Sequence, residues 1–136
     1  MNLVEQLVRD ERLELKPYRD SVGKLTIGVG RNLDDVGISR AEAMSLLAND
    51  IANAKAQLEQ HLPWTGGLDE VRESALVNMT FNMGIGALMN FRKFLAALEA
   101  GDYKTAAAEM LDSLWSKQVG DRAQRLAMQI ETGFWQ

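Results

Sequence analysis

The sequence predicts an α+β fold, in which a small β element interrupts the start of a mainly helical protein. Residues 17–33 alternate apolar and polar positions between glycines, a pattern typical of short strands and tight turns. From residue 39 onward, apolar residues recur at helical spacing instead. The chain has 136 residues, 46% of them hydrophobic and 25% charged, which suffices for one domain with a substantial core.

The first helix is expected over residues 2–12. Asn2 followed by Glu5 is typical of a capping box, in which each residue bonds the backbone N–H of the other. Glu11 continues the apolar stripe of this helix, so we expect its side chain to be buried among apolar neighbours. Such surroundings favour a protonated carboxyl, which a general acid requires. The stripe is formed by Leu3, Val4, Leu7 and Val8.

The β element is expected to begin where Pro17 forces the chain out of helical geometry. Asp20 opens a tight turn that ends at Gly23. The segment LDDVG, at residues 33–37, has two acids but lacks the further ligand spacing of a calcium loop, so we interpret it as a connection. In the strand over residues 24–30, one face should carry Leu25, Ile27 and Val29, and the other Thr26 and two glycines.

A long helix is predicted from residue 39 to about residue 61, with Ser39 and Glu42 as its capping box. The apolar segment 75–83 predicts the central helix of the C-terminal part. Asp121 with Gln124 resembles a capping box at the start of the last helix. Two further helices are expected behind the N-cap residues Asp69 and Asp102, and the second should extend to Leu114.

Composition excludes several kinds of site and partner. The chain has no cysteine and a single histidine, His61, which we interpret as a surface residue at a helix end; we predict no metal and no cofactor. A net charge of -4 argues against nucleic acid as a partner. No apolar run approaches the roughly 20 residues that span a bilayer, so no stable membrane association is expected. The N-terminus does not resemble a signal peptide, and we expect synthesis in a cytoplasm.

Glu11 and Asp20 are a candidate pair for cleaving a glycosidic bond. This reaction needs one protonated carboxyl and one ionised carboxylate on opposite sides of the bond. Glu11 lies on an apolar stripe and Asp20 in a solvated turn, so the two environments should favour different protonation states. The chain has 19 acidic residues, so the spacing of this pair alone is a weak signal.

Five motifs, in order, resemble the bacteriophage-type lysozyme (muramidase) family. They are a helix ending in D-E, then L-K-P-Y-x-D, K-L-T-I-G-V-G, A-L-V-N-M-T-F-N-M-G and R-A-x-R-L. The resemblance implies a lysozyme-like α+β fold with a small N-terminal β-hairpin lobe at about residues 13–40. A linking helix at 39–61 would join it to a mainly helical lobe at 62–136 that also holds helix 2–12. The implied reaction is hydrolysis of the β-1,4 bond between N-acetylmuramic acid and N-acetylglucosamine in peptidoglycan.

The same resemblance assigns catalysis to Glu11, Asp20 and Thr26. Glu11 would protonate the leaving oxygen, while Asp20 and Thr26 would hold the attacking water, with inversion at the sugar carbon. The expected substrate-binding residues are Gly30, Asn32, Phe81, Asn82, Trp115 and Gln118. The expected supporting ion pairs are Arg122 with Glu11, Arg125 with Asp10, and Arg31 with Asp50.

Peptidoglycan glycan strands are the partner that this resemblance implies. We expect a monomer, made in the cytoplasm of a bacterial host and acting on the cell wall after release, with help from a phage holin. Two alternatives stay open. A non-catalytic module could bind peptidoglycan with the same fold, and a lytic transglycosylase would leave anhydromuramic ends.

Overall fold

A computed structural model describes all residues 1–136 and confirms the predicted α+β class. The helices are α1 (Leu3–Glu11), α2 (Arg40–His61), α3 (Glu70–Met83), α4 (Ile85–Met89), α5 (Arg92–Glu99), α6 (Tyr103–Leu111), α7 (Leu114–Val119) and α8 (Asp121–Thr132). The strands are β1 (Glu14–Arg19), β2 (Leu25–Gly28) and β3 (Arg31–Asn32), and a 3-10 turn spans Pro63–Gly67. The chain divides into two compact units, residues 1–46 and 47–136.

The first unit contains an antiparallel sheet in the order β1-β2-β3. β1 begins at Glu14, before the expected start at Pro17, and its register with β2 shifts between Glu14 and Tyr18. The predicted capping box of α1 is present, with both Asn2 and Glu5 bonding the other's backbone N–H at 2.9 Å. The first unit is thus held together by local bonds and by the strand ladder.

The expected burial of the apolar stripe on α1 is wrong for this unit, because no residue of α1 is buried. Leu3 is 66% exposed and Glu11 is also exposed. The remainder of residues 1–46 is a small sheet with turns and the first turns of α2, and none of it buries the apolar stripe of α1. Helix 2–12 was expected to join the helical lobe; that assignment concerns packing between the two units and stays a prediction.

The second unit contains the hydrophobic core. α8 packs against α3, α6 and α7, and α5 packs against α6. The predicted central helix is confirmed, since α3 buries five residues within the segment 75–80. The largest fully buried side chains are Phe94, Leu76, Met79, Leu88, Leu98, Met110 and Ile130.

One N-cap prediction and one helix end in the second unit are wrong. The last helix has Gly120 as its N-cap, with φ 59°, so Asp121 is the first helical residue and makes no capping bond. The helix predicted from residue 102 to 114 ends at Leu111, and Ser113 then caps the separate helix α7. In both cases a nearby Gly or Ser fixes the backbone at the helix start.

Candidate active site

Asp20 lies in the turn between β1 and β2 and is held by the backbone around it. Its Oδ1 accepts hydrogen bonds from the N–H of Val22 at 3.0 Å and of Lys24 at 2.8 Å. The N–H of Asp20 in turn donates to the carbonyl oxygen of Lys24 at 2.9 Å. Both side-chain bonds fall on Oδ1, so Oδ2 is left to bind water or substrate.

Thr26 lies in β2, two residues beyond Lys24. Its Oγ1 hydroxyl donates to the carbonyl oxygen of Lys24 at 2.9 Å, and the residue is 3% exposed. Asp20 and Thr26 are therefore fixed to the same residue, Lys24, from its two sides. This bond uses the Thr26 proton and leaves its oxygen lone pairs to accept another bond.

Glu11 is the last residue of α1, and its carboxyl packs against the turn between β2 and β3. A Cβ built on Gly30, in that turn, would lie 2.9 Å from Glu11 Oε2 and 3.2 Å from Glu11 Cδ. The register pairs Ile27 with Arg31, which places Gly30 beside Gly28 at the end of β2. The structure thus brings Glu11 to the sheet that carries Asp20 and Thr26.

Gly30 and Asn32, the two predicted substrate-binding residues of the first unit, both have contacts within this unit. The space beside Gly30 is occupied by Glu11, whereas a Cβ on Gly28 would have no atom within 4 Å. The side chain of Asn32 bonds Asp35 twice, through Nδ2 to Oδ2 at 2.9 Å and through Oδ1 to the N–H at 2.9 Å. Sugar contacts by Gly30 and Asn32 stay predictions.

Among the predicted binding residues of the second unit, Trp115 and Asn82 lie together. Trp115 is 7% exposed, and its Nε1 donates to Asn82 Oδ1 at 2.8 Å. The ring of Trp115 also meets that of Phe91 edge to face at 6.3 Å. Trp115 is therefore a core residue with a satisfied indole N–H.

Phe81 differs from Trp115 because it is 47% exposed. It lines a groove of about 470 Å³ in the second unit, together with Leu47, Ile51, Lys55, Ser74, Val77, Asn78 and Arg122. Gln118, near the end of α7, is exposed. Phe81 and Gln118 are accessible to a ligand, and their binding role stays a prediction.

Arg122 has a partner within its own unit that the sequence did not suggest. Its Nε and Nη2 donate to Asn78 Oδ1 at 3.0 Å and 2.7 Å. Asn78 lies 44 residues away, so helical spacing alone gave no signal for the pair. The predicted pairing of Arg122 with Glu11, and of Arg125 with Asp10, would join the two units and stays a prediction.

Arg31 pairs with Glu42 at the start of α2, a partner that the sequence did not suggest. Its Nη1 and Nη2 lie 2.9 Å and 2.8 Å from the two carboxylate oxygens. The predicted pair of Arg31 with Asp50 would join the two units and stays a prediction. The Arg31 bonds, with those from Ser39, lower the pKa of Glu42 to about 2.

No group of three or more His, Cys, Asp or Glu side chains is placed to hold a metal ion. None of the helices has both the length and the apolar character that a bilayer crossing requires.

Comparison with known proteins gives the chain a family. Residues 9–129 match the family model described as phage lysozyme. The chain is 33% identical to the pre-baseplate central spike protein Gp5 of Enterobacteria phage T4, over 98% of this chain and 28% of the spike protein. It is 28% identical to probable T4-type lysozyme 1 of Dictyostelium discoideum, over 97% of this chain and 95% of that protein. It is 30% identical to the SAR-endolysin of Escherichia phage Mu, over 96% of this chain and 77% of the endolysin.

The matched segment contains all three residues to which catalysis was assigned, Glu11, Asp20 and Thr26. The first two alignments extend over 161 residues, more than this chain contains, so those relatives have stretches with no counterpart here. The chain spans little more than a quarter of the T4 spike protein and nearly all of the Dictyostelium protein. The chain belongs to the phage lysozyme family and is thereby assigned as a glycoside hydrolase.

Proposed function

We propose that this chain hydrolyses the β-1,4 bond between N-acetylmuramic acid and N-acetylglucosamine in peptidoglycan, by acid-assisted attack of water with inversion. The observation that carries the proposal is that Glu11 packs at one end of β2 while Asp20 and Thr26 are fixed at the other. Two carboxyls on either side of a reacting sugar carbon are the arrangement that the reaction needs.

Glu11 supplies the proton in this proposal. It is exposed at the end of α1, so the oxygen of a bound glycan can reach it. As the bond between the sugar carbon and that oxygen breaks, the proton of Glu11 passes to the leaving oxygen. The product is a free hydroxyl, and Glu11 is left ionised.

Asp20 and Thr26 hold the water. A water molecule donates one hydrogen to Asp20 Oδ2 and the other to Thr26 Oγ1, which leaves an oxygen lone pair free for attack. The hydroxyl of Thr26 can only accept here, because its proton already bonds the carbonyl oxygen of Lys24. The water proton then passes to Asp20, and this balances the proton that Glu11 gave up.

The positions of the carboxyls support inversion. Asp20 Oδ1 lies 2.8 Å from the N–H of Lys24, and Glu11 lies beside Gly30, at the level of Gly28. Four residues of strand separate those two levels, or about 13 Å. Carboxyls at opposite ends of the strand leave room for a water molecule between them, which an inverting glycosidase needs and which the spacing of about 5–5.5 Å in a retaining one excludes.

The test is mass spectrometry of purified sacculi digested by the wild type and by Glu11→Gln. We expect reducing N-acetylmuramic acid ends from the wild type and none from the variant. Glu59→Gln is a matched control, because it removes the same charge from an exposed position on α2. A wild type without products, or equal products from Glu11→Gln, refutes the proposal.

The same digest separates the alternatives. Anhydromuramic ends identify a lytic transglycosylase, and binding to sacculi without released ends identifies a non-catalytic module. A monomeric state, and access to the wall through a phage holin, belong to the proposal as expectations.

A further inference from the structure

We propose that Asp34 is a positioning residue that holds the strand segment between Asp20 and Thr26 in place for catalysis. The inference rests on the proposed function and adds a residue that none of the motifs contains. Asp34 lies in the loop after β3, which the sequence analysis interpreted as a connection.

The segment in question is Lys24-Leu25-Thr26. Asp20 bonds the N–H of Lys24, and Thr26 bonds its carbonyl oxygen, so both side chains move with this residue. Besides those two, Asp34 is the side chain that bonds the backbone of the segment. Its Oδ2 accepts a hydrogen bond from the N–H of Leu25 at 2.8 Å.

Asp34 is itself held in place from two sides. The N–H of Leu33, its neighbour in the chain, donates to the carbonyl oxygen of Leu25 at 2.7 Å. Nη1 of Arg19 lies 3.6 Å from Asp34 Oδ2 and donates to the carbonyl oxygen of Gly23 at 3.1 Å. The loop after β3 is thereby tied to the turn that carries Asp20.

This contact acts on catalysis and not on ground-state binding. Without the carboxylate of Asp34, the N–H of Leu25 loses its partner, and the segment can shift relative to Glu11. Such a shift moves the water held by Asp20 and Thr26, and a misplacement of about 1 Å costs roughly 100-fold in rate. Asp34 does not touch the proposed water, so KM should change little.

The experiment compares Asp34→Ala and Asp34→Asn on labelled sacculi. We expect kcat to fall roughly 10- to 100-fold in Asp34→Ala with KM within about twofold. Asp34→Asn keeps an oxygen that can accept from Leu25, so kcat should recover to within about threefold of the wild type. Asp112→Ala controls for charge, because Asp112 is an exposed residue after α6.

Several results would overturn the inference. An unchanged kcat in Asp34→Ala does so, and so does a kcat in Asp34→Asn that is as low as in Asp34→Ala. Amide exchange of Leu25 in the wild type is a second test that needs no variant. Exchange as fast as in an exposed loop contradicts the bond.

The outcome is separable from that of the proposed function. If Glu11→Gln is inactive while Asp34→Ala keeps the wild-type kcat, only the role of Asp34 is lost. If Glu11→Gln keeps full activity, the catalytic assignment fails, and the role of Asp34 fails with it.

Discussion

The backbone of Gly30 and the carboxyl of Glu11 pack so closely that residue 30 has no room for a side chain. A Cβ there would lie 2.9 Å from Oε2 and 3.4 Å from Glu11 Cβ. The family resemblance predicts Gly30 as a substrate-binding residue. In the structure, the position that a side chain of residue 30 would take is occupied by the carboxyl of Glu11, the proposed acid.

Gly30→Ala is therefore expected to displace the carboxyl of Glu11 and lower kcat by about tenfold or more. Gly28→Ala is the matched control: its φ of 69° is nearly equal to the 70° of Gly30, but a Cβ there meets no atom within 4 Å. Both variants should lose a similar free energy of unfolding, about 1–3 kcal/mol, from the backbone strain. Steady-state kinetics and urea unfolding separate the two effects, and equal losses of kcat would refute the contact.

Arg12, directly after Glu11, has φ 66° and ψ 154°, a backbone conformation that is nearly confined to glycine. Arg12→Gly should consequently be more stable than Arg12→Ala by about 1–2 kcal/mol. Elsewhere the order is usually the reverse, because glycine has more conformational freedom in the unfolded chain. Both variants lose the contact between the guanidinium and the ring of Tyr18, 5.9 Å apart, so their difference isolates the backbone term. Urea unfolding measures it.

Glu42 should make stability depend on pH in the acid range. Its folded-state pKa is lowered from 4.5 to about 2, first by the hydrogen bond from Arg31 and then by those from Ser39. A lowered carboxyl pKa stabilises the fold above the unfolded value and ceases to do so as pH falls through the folded value. Stability of the wild type should thus fall between pH 4.5 and about 2 more steeply than that of Glu42→Gln. Parallel curves from urea unfolding at several pH values would contradict this.

Arg72 joins three parts of the second unit, and its loss should be costly. Its guanidinium lies over the ring of Tyr103, 3.6 Å from the centroid. Nε and Nη2 donate to the carbonyl oxygens of Ile130 at 2.6 Å and Glu131 at 3.1 Å, near the end of α8. Arg72→Met should lower the free energy of unfolding by about 2–4 kcal/mol.

Arg40→Met is the control for Arg72→Met, since Arg40 is an exposed residue at the start of α2. Its substitution should change stability by less than about 0.5 kcal/mol. If the two variants unfold at the same urea concentration, the bonds of Arg72 to the end of α8 contribute nothing net.

Phe81 and Trp115 were both predicted to bind sugar, and their burial predicts opposite phenotypes. Trp115→Ala should destabilise the protein by about 3–5 kcal/mol, because a buried indole is removed. Phe81→Ala should leave stability nearly unchanged and raise KM about two- to tenfold if the ring contacts a sugar. Unfolding and kinetics on the same two variants check this, and an unchanged KM in Phe81→Ala would remove it from the binding site.

Local patterns in the sequence predicted the helix starts well. The capping boxes of Asn2 with Glu5 and of Ser39 with Glu42 are confirmed, as is the N-cap Asp69. These bonds join residues three apart, so the pattern contains both partners. The prediction of Asp121 as an N-cap is wrong because Gly120, with its positive φ, takes the N-cap position and Asp121 is already helical.

Bonds between distant residues were not predictable in the same way. No local pattern in the sequence indicates that Arg72 bonds the carbonyl oxygen of Ile130, 58 residues away, or that Asp34 accepts a bond from the N–H of Leu25. Acids and arginines are frequent enough that many pairings fit a sequence equally well. The motifs with a family resemblance supplied Glu11, Asp20 and Thr26, whereas the residues that hold them in place required coordinates.

The burial of Trp115 beside Asn82 allows its fluorescence to be distinguished from that of the exposed Trp135. Of the protein's three tryptophans, Trp115 is 7% exposed, Trp64 is half-buried, and Trp135 is 63% exposed at the C-terminus. Iodide should quench the emission of Trp135 and leave that of Trp115, whose indole is shielded and hydrogen-bonded. The residual fluorescence then comes from Trp115 and, in part, from Trp64, and the contribution of Trp115 reports on the surroundings of Asn82 while a glycan is added, without any label.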